Sequence, residues 1–172
     1  MYVRKNLESV LKNDGLCIEF VQKQNDELCL EAVKQNGLSL QYVVDQNEII
    51  CLEAIHENGL ALQYVQNQSD LICLEAVKQN GLALQYVQNQ TDTICQEAVK
   101  QNSFALQYVQ NQNALICELA LINNPWAIVY LHNQTIPLCL ISVRKNCILF
   151  DHVNENLKEG VLKALYEITD LK

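Results

Sequence analysis

Between residues 25 and 156 the same order of apolar and polar positions is written six times with a period of 22, marked by Cys29, Cys51, Cys73, Cys95, Cys117 and Cys139. The stretch 69–90, SDLICLEAVKQNGLALQYVQNQ, is the type copy. At about 100° per residue the first half of a unit is amphipathic. Leu28, Cys29, Ala32 and Val33 share one arc, and Glu31, Lys34 and Gln35 lie off it. The second half places Leu38, Leu40, Tyr42 and Val43 with a small residue, Ser39 or Ala61, on a broad apolar arc, leaving Gln41 and Asp45 outward. The pattern predicts two short helices per unit.

Start and stop signals agree with that reading. The first slot holds Asn25, Asn47, Ser69, Thr91, Asn113 and Thr135, residue types whose side chains accept a bond from the free amides of a helix start. Acids follow (Asp26, Glu27, Glu48, Asp70, Asp92) and bases come late (Lys34, Lys78, Lys100, Arg144), the order that complements the helix dipole. Asn36, Asn58, Asn80, Asn102, Asn124 and Asn146 close the first helix, and Gly37, Gly59 and Gly81 follow three of them. A glycine there predicts a left-handed residue and a Schellman-type end. Pro125 takes the glycine slot of the fifth copy and Pro137 sits in a first turn, where a missing amide costs little.

A period in the range of about 20 to 50 residues marks a solenoid, whose units bury their apolar faces only against neighbours. A single long helix of paired hendecads shares the period. Glycine or proline at fixed slots would cost about 1–3 kcal/mol each inside it, so the expected fold is all-α, an α-solenoid of helix-turn-helix repeats. Residues 3–24 fit the template loosely as an N-terminal cap, with Asn6 and Leu7 replacing the apolar residue and the cysteine. Residues 25–156 hold the full repeats, and residues 157–172 form a C-terminal capping helix with Val161, Ala164 and Leu165 in its buried slots. The whole chain reads as one repeat domain.

Composition narrows the chemistry. The formal charge is −8, with Arg4 and Arg144 the only arginines, a balance that argues against a phosphate-backbone reader. No secretion signal and no apolar run long enough for a membrane span is present, so a reducing cytoplasm is the expected location. Stacked helices lie about 8–10 Å apart, whereas disulfide Cα atoms need about 7 Å or less. The six periodic cysteines are therefore expected to be structural, buried and unpaired. They lack the basic neighbours that generate thiolates. His56, His132 and His152 occupy three different slots, so neither a metal nor any other cofactor is expected. Tyr42, Tyr64, Tyr86, Tyr108 and Tyr130 form a row that reads as packed rings with hydroxyls at the surface. The sequons at Asn67, Asn89 and Asn133 are explained by the helix caps that follow them.

From residue 113 the outward slots change character. Leu119 and Ile141 stand where Glu31, Glu53, Glu75 and Glu97 stood, Ile122 replaces lysine, and Val129 replaces glutamine, with Trp126 nearby. Grouped apolar positions of this kind imply a cover, either the chain's own C-terminal helix or a second molecule.

The string EAVKQNGLALQYV at 75–87, with variants at 31–43, 53–65 and 97–109, resembles a helical repeat family of uncharacterised function found in giant viruses of amoebae and amoeba-associated bacteria. The resemblance implies a viral helical repeat protein that engages host or virion proteins, and it carries over no catalytic residue. Ser103, Pro125 and Cys147 depart from its glycine.

No nucleophile, base and orienter converge in the pattern, so the chain reads as non-enzymatic. The leading expectation is a protein-interaction scaffold, with Gln41, Gln63, Gln85 and Gln107 and the row Glu31, Glu53, Glu75 and Glu97 as its exposed ladder. The alternative is a structural virion component or homo-oligomer joined through Leu119, Ile122, Trp126, Val129 and Ile141.

Overall fold

Each first helix starts where the sequence places its cap. In the computed structural model, which describes residues 9–169, Asn25, Asn47, Ser69, Thr91 and Asn113 accept a bond from the backbone amide three residues on, at 2.9 to 3.3 Å. Thr135 holds the cap position but its side chain makes no such bond. Pro137 in that first turn already removes one amide donor, so less is left for a cap to satisfy. Asn6 and Leu7, and residues 170–172 of the expected end helix, lie outside the described residues.

The α-helices are α1 (9–13), α2 (Asp26–Gln35), α3 (Glu48–Glu57), α4 (Asp70–Gln79), α5 (Asp92–Gln101), α6 (Ala114–Asn123), α7 (Ile136–Lys145) and α8 (Glu155–Thr169). The second helix of every unit is a six-residue 3-10 helix: η1 (Gly15–Phe20), η2 (Gly37–Tyr42), η3 (Gly59–Tyr64), η4 (Gly81–Tyr86), η5 (Ser103–Tyr108), η6 (Pro125–Tyr130) and η7 (Cys147–His152). From α2 to α8 the successive α-helices lie against one another, and each 3-10 helix lies against its 3-10 neighbours. The stack thus has one α layer and one 3-10 layer, an all-α solenoid without strands among the described residues.

Length explains the pairing. Ten α residues rise about 15 Å at 1.5 Å each, while six 3-10 residues rise about 12 Å at 2.0 Å each. A tight second helix spans nearly the same layer with fewer residues. Asn36 and its equivalents serve both elements, ending the α-helix with an extended backbone and accepting from the second amide of the 3-10 helix at 3.0 to 3.1 Å.

The glycines do not work as expected from the sequence. No described residue has a positive φ, so there is no left-handed Schellman end. Glycine is needed for close approach instead. A Cβ on Gly59 would lie 2.7 Å from the Ala76 carbonyl oxygen of the following unit, and one on Gly15, Gly37 or Gly81 would lie closer still to the carbonyls of Ala32, Ala54 and Ala98. The alanines are equally constrained, being fully buried. Where Ser103 and Pro125 fill the glycine slot, their 3-10 helices meet the following ones less closely.

Between the layers runs one hydrophobic spine, from Leu11 and Ile18 through Ile50, Leu62, Leu84, Leu106 and Ile128 to Val161. The C-terminal helix begins at Glu155, two residues earlier than expected, and packs on α7, with Val161 buried, Ala164 and Leu165 half-buried, and Gly160 close against Ile136. Among the described residues no helix is long and apolar enough to cross a membrane.

A glutamine at the last slot of each unit stitches it to the next. The Nε2 groups of Gln24, Gln46, Gln68, Gln90, Gln112 and Gln134 donate to the carbonyls of Tyr42, Tyr64, Tyr86, Tyr108, Tyr130 and His152 at 2.8 to 2.9 Å. The same side chains accept through Oε1 from the backbone amides two residues further on, at 2.8 to 3.0 Å. The first five also donate back to a carbonyl of their own unit. An amide offers two donors and an acceptor with two lone pairs, and this site uses all of them. The series ends at residue 156, where Asn156 lies within α8.

Candidate interaction face

The six periodic cysteines sit beneath this ladder, between 0% and 4% exposed. Each thiol donates to the Oε1 of the preceding clamp glutamine at 3.4 to 3.8 Å. Burial pushes all six thiols up from the ordinary value. Burial followed by the Asp70 carboxylate takes Cys73 to about 11, and burial followed by the Asp92 carboxylate takes Cys95 to about 11. Cys147 is exposed and Cys17 half-buried, and no cysteine is bridged. A maleimide should therefore label Cys147 first and Cys17 more slowly in the folded protein, with the other six reacting only on unfolding. Mass spectrometry of the labelled peptides checks this, and periodic cysteines reacting at the Cys147 rate would contradict their burial.

The expected ladder separates into two unlike rows. Gln41, Gln63, Gln85 and Gln107 are exposed on the 3-10 layer. Each donates Nε2 to the carbonyl three residues earlier, at 2.9 to 3.1 Å. The row is held in place by its own backbone. Glu31, Glu53, Glu75 and Glu97 are half-buried rather than exposed, because their slot lies at the edge of the arc covered by the neighbouring α-helix. Glu75 and Glu97 take Lys78 and Lys100 at 2.8 and 2.6 Å, surface pairs that contribute little to stability.

The apolar end also divides. Leu119 and Ile141, expected to be solvated, are half-buried and pack against the spine, since they fill that same edge slot. Ile122, Trp126 and Val129 remain 53%, 42% and 46% exposed with α8 in place. The chain's own last helix therefore does not cover them. It rests on α7 and sets Lys158 over the Phe150 ring at 5.8 Å.

Aromatic side chains connect successive units of the 3-10 layer. Tyr42, Tyr64, Tyr86, Tyr108 and Tyr130 are all half-buried. Phe104 meets Tyr130 of the following unit edge-on with ring centroids 5.9 Å apart, and Trp126 meets His152 in the same way at 5.7 Å. Burial, the Glu19 carboxylate and Tyr64 raise the Tyr42 hydroxyl above its ordinary value. The face of the 3-10 layer thus carries alternating rings and exposed amides.

The loop edge is more irregular. Asn47 bonds Asp26 at 3.0 Å and Asn113 bonds Asp92 at 2.9 Å, tying a cap to the acid of the unit before. Ala114 and Thr135 cannot form that tie, and a cleft of about 340 Å³ opens there, lined by Cys117, Pro137 and Leu138 with Asn113 and Glu118 at the rim. His56, His132 and His152 are exposed at unrelated slots. Among the described residues no three of His, Cys, Asp and Glu gather to hold a metal.

The clamp glutamines are not among the residues that local pattern singles out. Their signal was present, since Gln24, Gln46, Gln68, Gln90, Gln112 and Gln134 are identical in all six positions. Their partners are 18 and 20 residues away, beyond any local pattern.

These features define an all-α repeat solenoid with a rigid polar and aromatic face. The family described as "Domain of unknown function (DUF4116)" matches four overlapping stretches, residues 7–46, 25–71, 47–92 and 71–112. Together they span 7–112, more than half of the 172 residues, and the chain belongs to that family. No curated protein and no solved structure matches it.

Proposed function

We propose that this chain is a non-enzymatic protein-interaction scaffold whose partner lies along the 3-10 face. The observation that carries the reading is the exposed row Gln41, Gln63, Gln85 and Gln107, each side chain pinned by its own unit on a backbone locked by the clamp. Groups already ordered before binding lose less conformational freedom when a partner arrives. The acidic charge of −8 favours a neutral or basic protein partner over nucleic acid or an anionic membrane surface. The resemblance to viral repeat proteins supports a host or virion protein as that partner, met in the cytoplasm or in the particle.

A second reading rests on Ile122, Trp126 and Val129, which stay open with α8 in place. Exposed apolar groups of this kind suit a homodimer or a structural particle component. One experiment tests both readings, comparing the wild type with Gln85→Arg/Gln107→Arg and with Ile122→Asp/Val129→Asp. All three should keep the same circular dichroism. The glutamine variant should lose partner capture from host extract while its solution mass is unchanged; full capture by that variant refutes the scaffold face. A wild-type mass that rises with concentration, and falls to the monomer in the Asp variant, identifies the apolar end as a self-association surface.

A further inference from the structure

Beside the glutamine clamp, each junction from the first full unit to the fifth carries at least one further side-chain bond. Asn47 to Asp26 and Asn113 to Asp92 join the first unit to the second and the fourth to the fifth, at 3.0 and 2.9 Å. Gln79 and Gln101 accept the amide protons of Gly59 and Gly81, joining the second unit to the third and the third to the fourth, at 2.8 and 2.7 Å. Between the fifth unit (113–134) and the sixth (135–156) neither bond can form. Ala114 and Thr135 stand where the acid and the asparagine would be, and Pro125 has no amide proton to give. Among the described residues, what is added there is an exposed bond from the Lys145 Nζ to the Ile122 carbonyl.

Packing is loosest at the same place. The close glycine–alanine pair of earlier junctions, such as Gly59 and Ala76, becomes Pro125 and Ser142. The Ser142 hydroxyl is buried without a hydrogen-bond partner, which costs free energy that an alanine would not. Leu138 and Val143 are 7% and 6% exposed, while their equivalents Ile116 and Leu121 are 0%. The cleft of about 340 Å³ at this junction compares with about 160 Å³ at the equivalent site between the second and third units. α6 and α7 meet less closely than any earlier pair from α2 onward, and so do η6 and η7 among the 3-10 helices. The other end of the stack keeps the close approach of Gly15 to Ala32 and a complete Gln24 clamp.

We infer that α7, η7 and α8 form a detachable end piece, which opens from the fifth unit as one body while the earlier units stay stacked. An end unit is released by breaking one junction, an interior unit by breaking two, and this end has the weaker junction. α8 goes with α7 because its support is there: Val161 is buried, Gly160 lies against Ile136, and Lys158 sits over the Phe150 ring of η7. Opening bares Cys117 and Leu138, which line the cleft, and enlarges the apolar surface that Ile122 and Val129 already offer at this end.

The molecule carries its own reporters. Trp126 is the only tryptophan and meets His152 across this junction at 5.7 Å, and each full unit holds one buried periodic cysteine. In a urea titration of the full chain, tryptophan fluorescence should change at lower urea than the main circular dichroism transition. Between the two midpoints a maleimide pulse should label Cys139 at least about tenfold faster than Cys73 or Cys95, since labelling follows the open population. Ser142→Ala should slow Cys139 about tenfold by removing the unpartnered hydroxyl, and Ala114→Asp/Thr135→Asn, which rebuilds the missing tie, should slow it too. Ser39→Ala removes the other unpartnered buried hydroxyl, in the first unit, and should leave Cys139 unchanged. Amide exchange should give α7, η7 and α8 a common opening rate. Coincident fluorescence and dichroism transitions overturn the inference, as does Cys139 labelling no faster than Cys73. So does Ser39→Ala slowing Cys139 as much as Ser142→Ala, or Ser142→Ala having no effect. Exchange that is fast in α8 while α7 stays protected would mean simple fraying of the last helix and would overturn it as well.

Discussion

Gln90→Met lowers the stability of the stack by about 3 kcal/mol, although the substitution keeps the side chain's length and lies outside the hydrophobic spine. Gln90 donates to the Tyr108 carbonyl at 2.8 Å and the Leu84 carbonyl at 3.4 Å, and accepts from the Gln110 amide at 3.0 Å and the Cys95 thiol at 3.5 Å. Methionine supplies none of these. A buried donor or acceptor left without a partner costs about 1–3 kcal/mol. The surroundings are only part-buried, so water recovers some of that loss and the total stays near 3 kcal/mol rather than its several-fold multiple. Gln68→Met should behave alike, because its bonds are equivalent. Gln134→Met should cost less, since its bond to His152 is exposed. Urea unfolding followed by circular dichroism measures the difference. A midpoint for Gln90→Met equal to that of the wild type would show that packing alone holds the units together. Repeat stacks couple only through nearest neighbours, so the transition should also broaden as the two halves on either side of the lost clamp unfold more independently.

Gly81→Ala is expected to destabilise by about 2–3 kcal/mol, the upper part of the range of about 1–3 kcal/mol for forcing an extra methyl into a packed site. The sign decides what the glycine is for. In an ordinary helical position this change stabilises by about 0.4–1 kcal/mol through the unfolded chain. At Gly81 the new methyl would press on the Ala98 carbonyl of the next unit, and it would also meet the Gln101 side chain at 2.9 Å. That glutamine accepts the Gly81 amide proton at 2.7 Å, so moving it aside sacrifices a bond. Backbone cannot step aside without opening the stack. The natural side chain at Ser103 shows that opening is possible at finite cost, because the 3-10 helices are less closely packed from there on. A thermal midpoint unchanged or raised by Gly81→Ala would mean that the units already have slack.

How far the fold can be read from the residues depends on the range of the interaction concerned. Helix starts at Asn25, Asn47, Ser69, Thr91 and Asn113 were legible because a cap bonds three residues away. The buried arc through Cys29, Ala32 and Val33 was legible because helical geometry alone groups those positions. The second helix was legible as a helix but not as a 3-10 helix, since six residues such as GLALQY carry no local signal separating the two. The Gln41 row was legible as outward. The partial cover over Leu119, Ile141 and the Glu31 row was not, because the covering side chains belong to adjacent units.

The period, the helical class, the unit boundaries and the inward slots were thus determined by the amino-acid sequence itself, each through contacts within a few residues. Only the tertiary stack decided that Gly59 stands where it does because the Ala76 carbonyl lies against it, and that Gln68 is a clamp whose partners belong to the next unit. The same packing decided that Ile122, Trp126 and Val129 stay open with α8 in place. The physical reason is common to all three. A repeat unit is locally encoded, but the distance between units is set where two backbones meet, and that contact exists only once the chain has folded back beside itself.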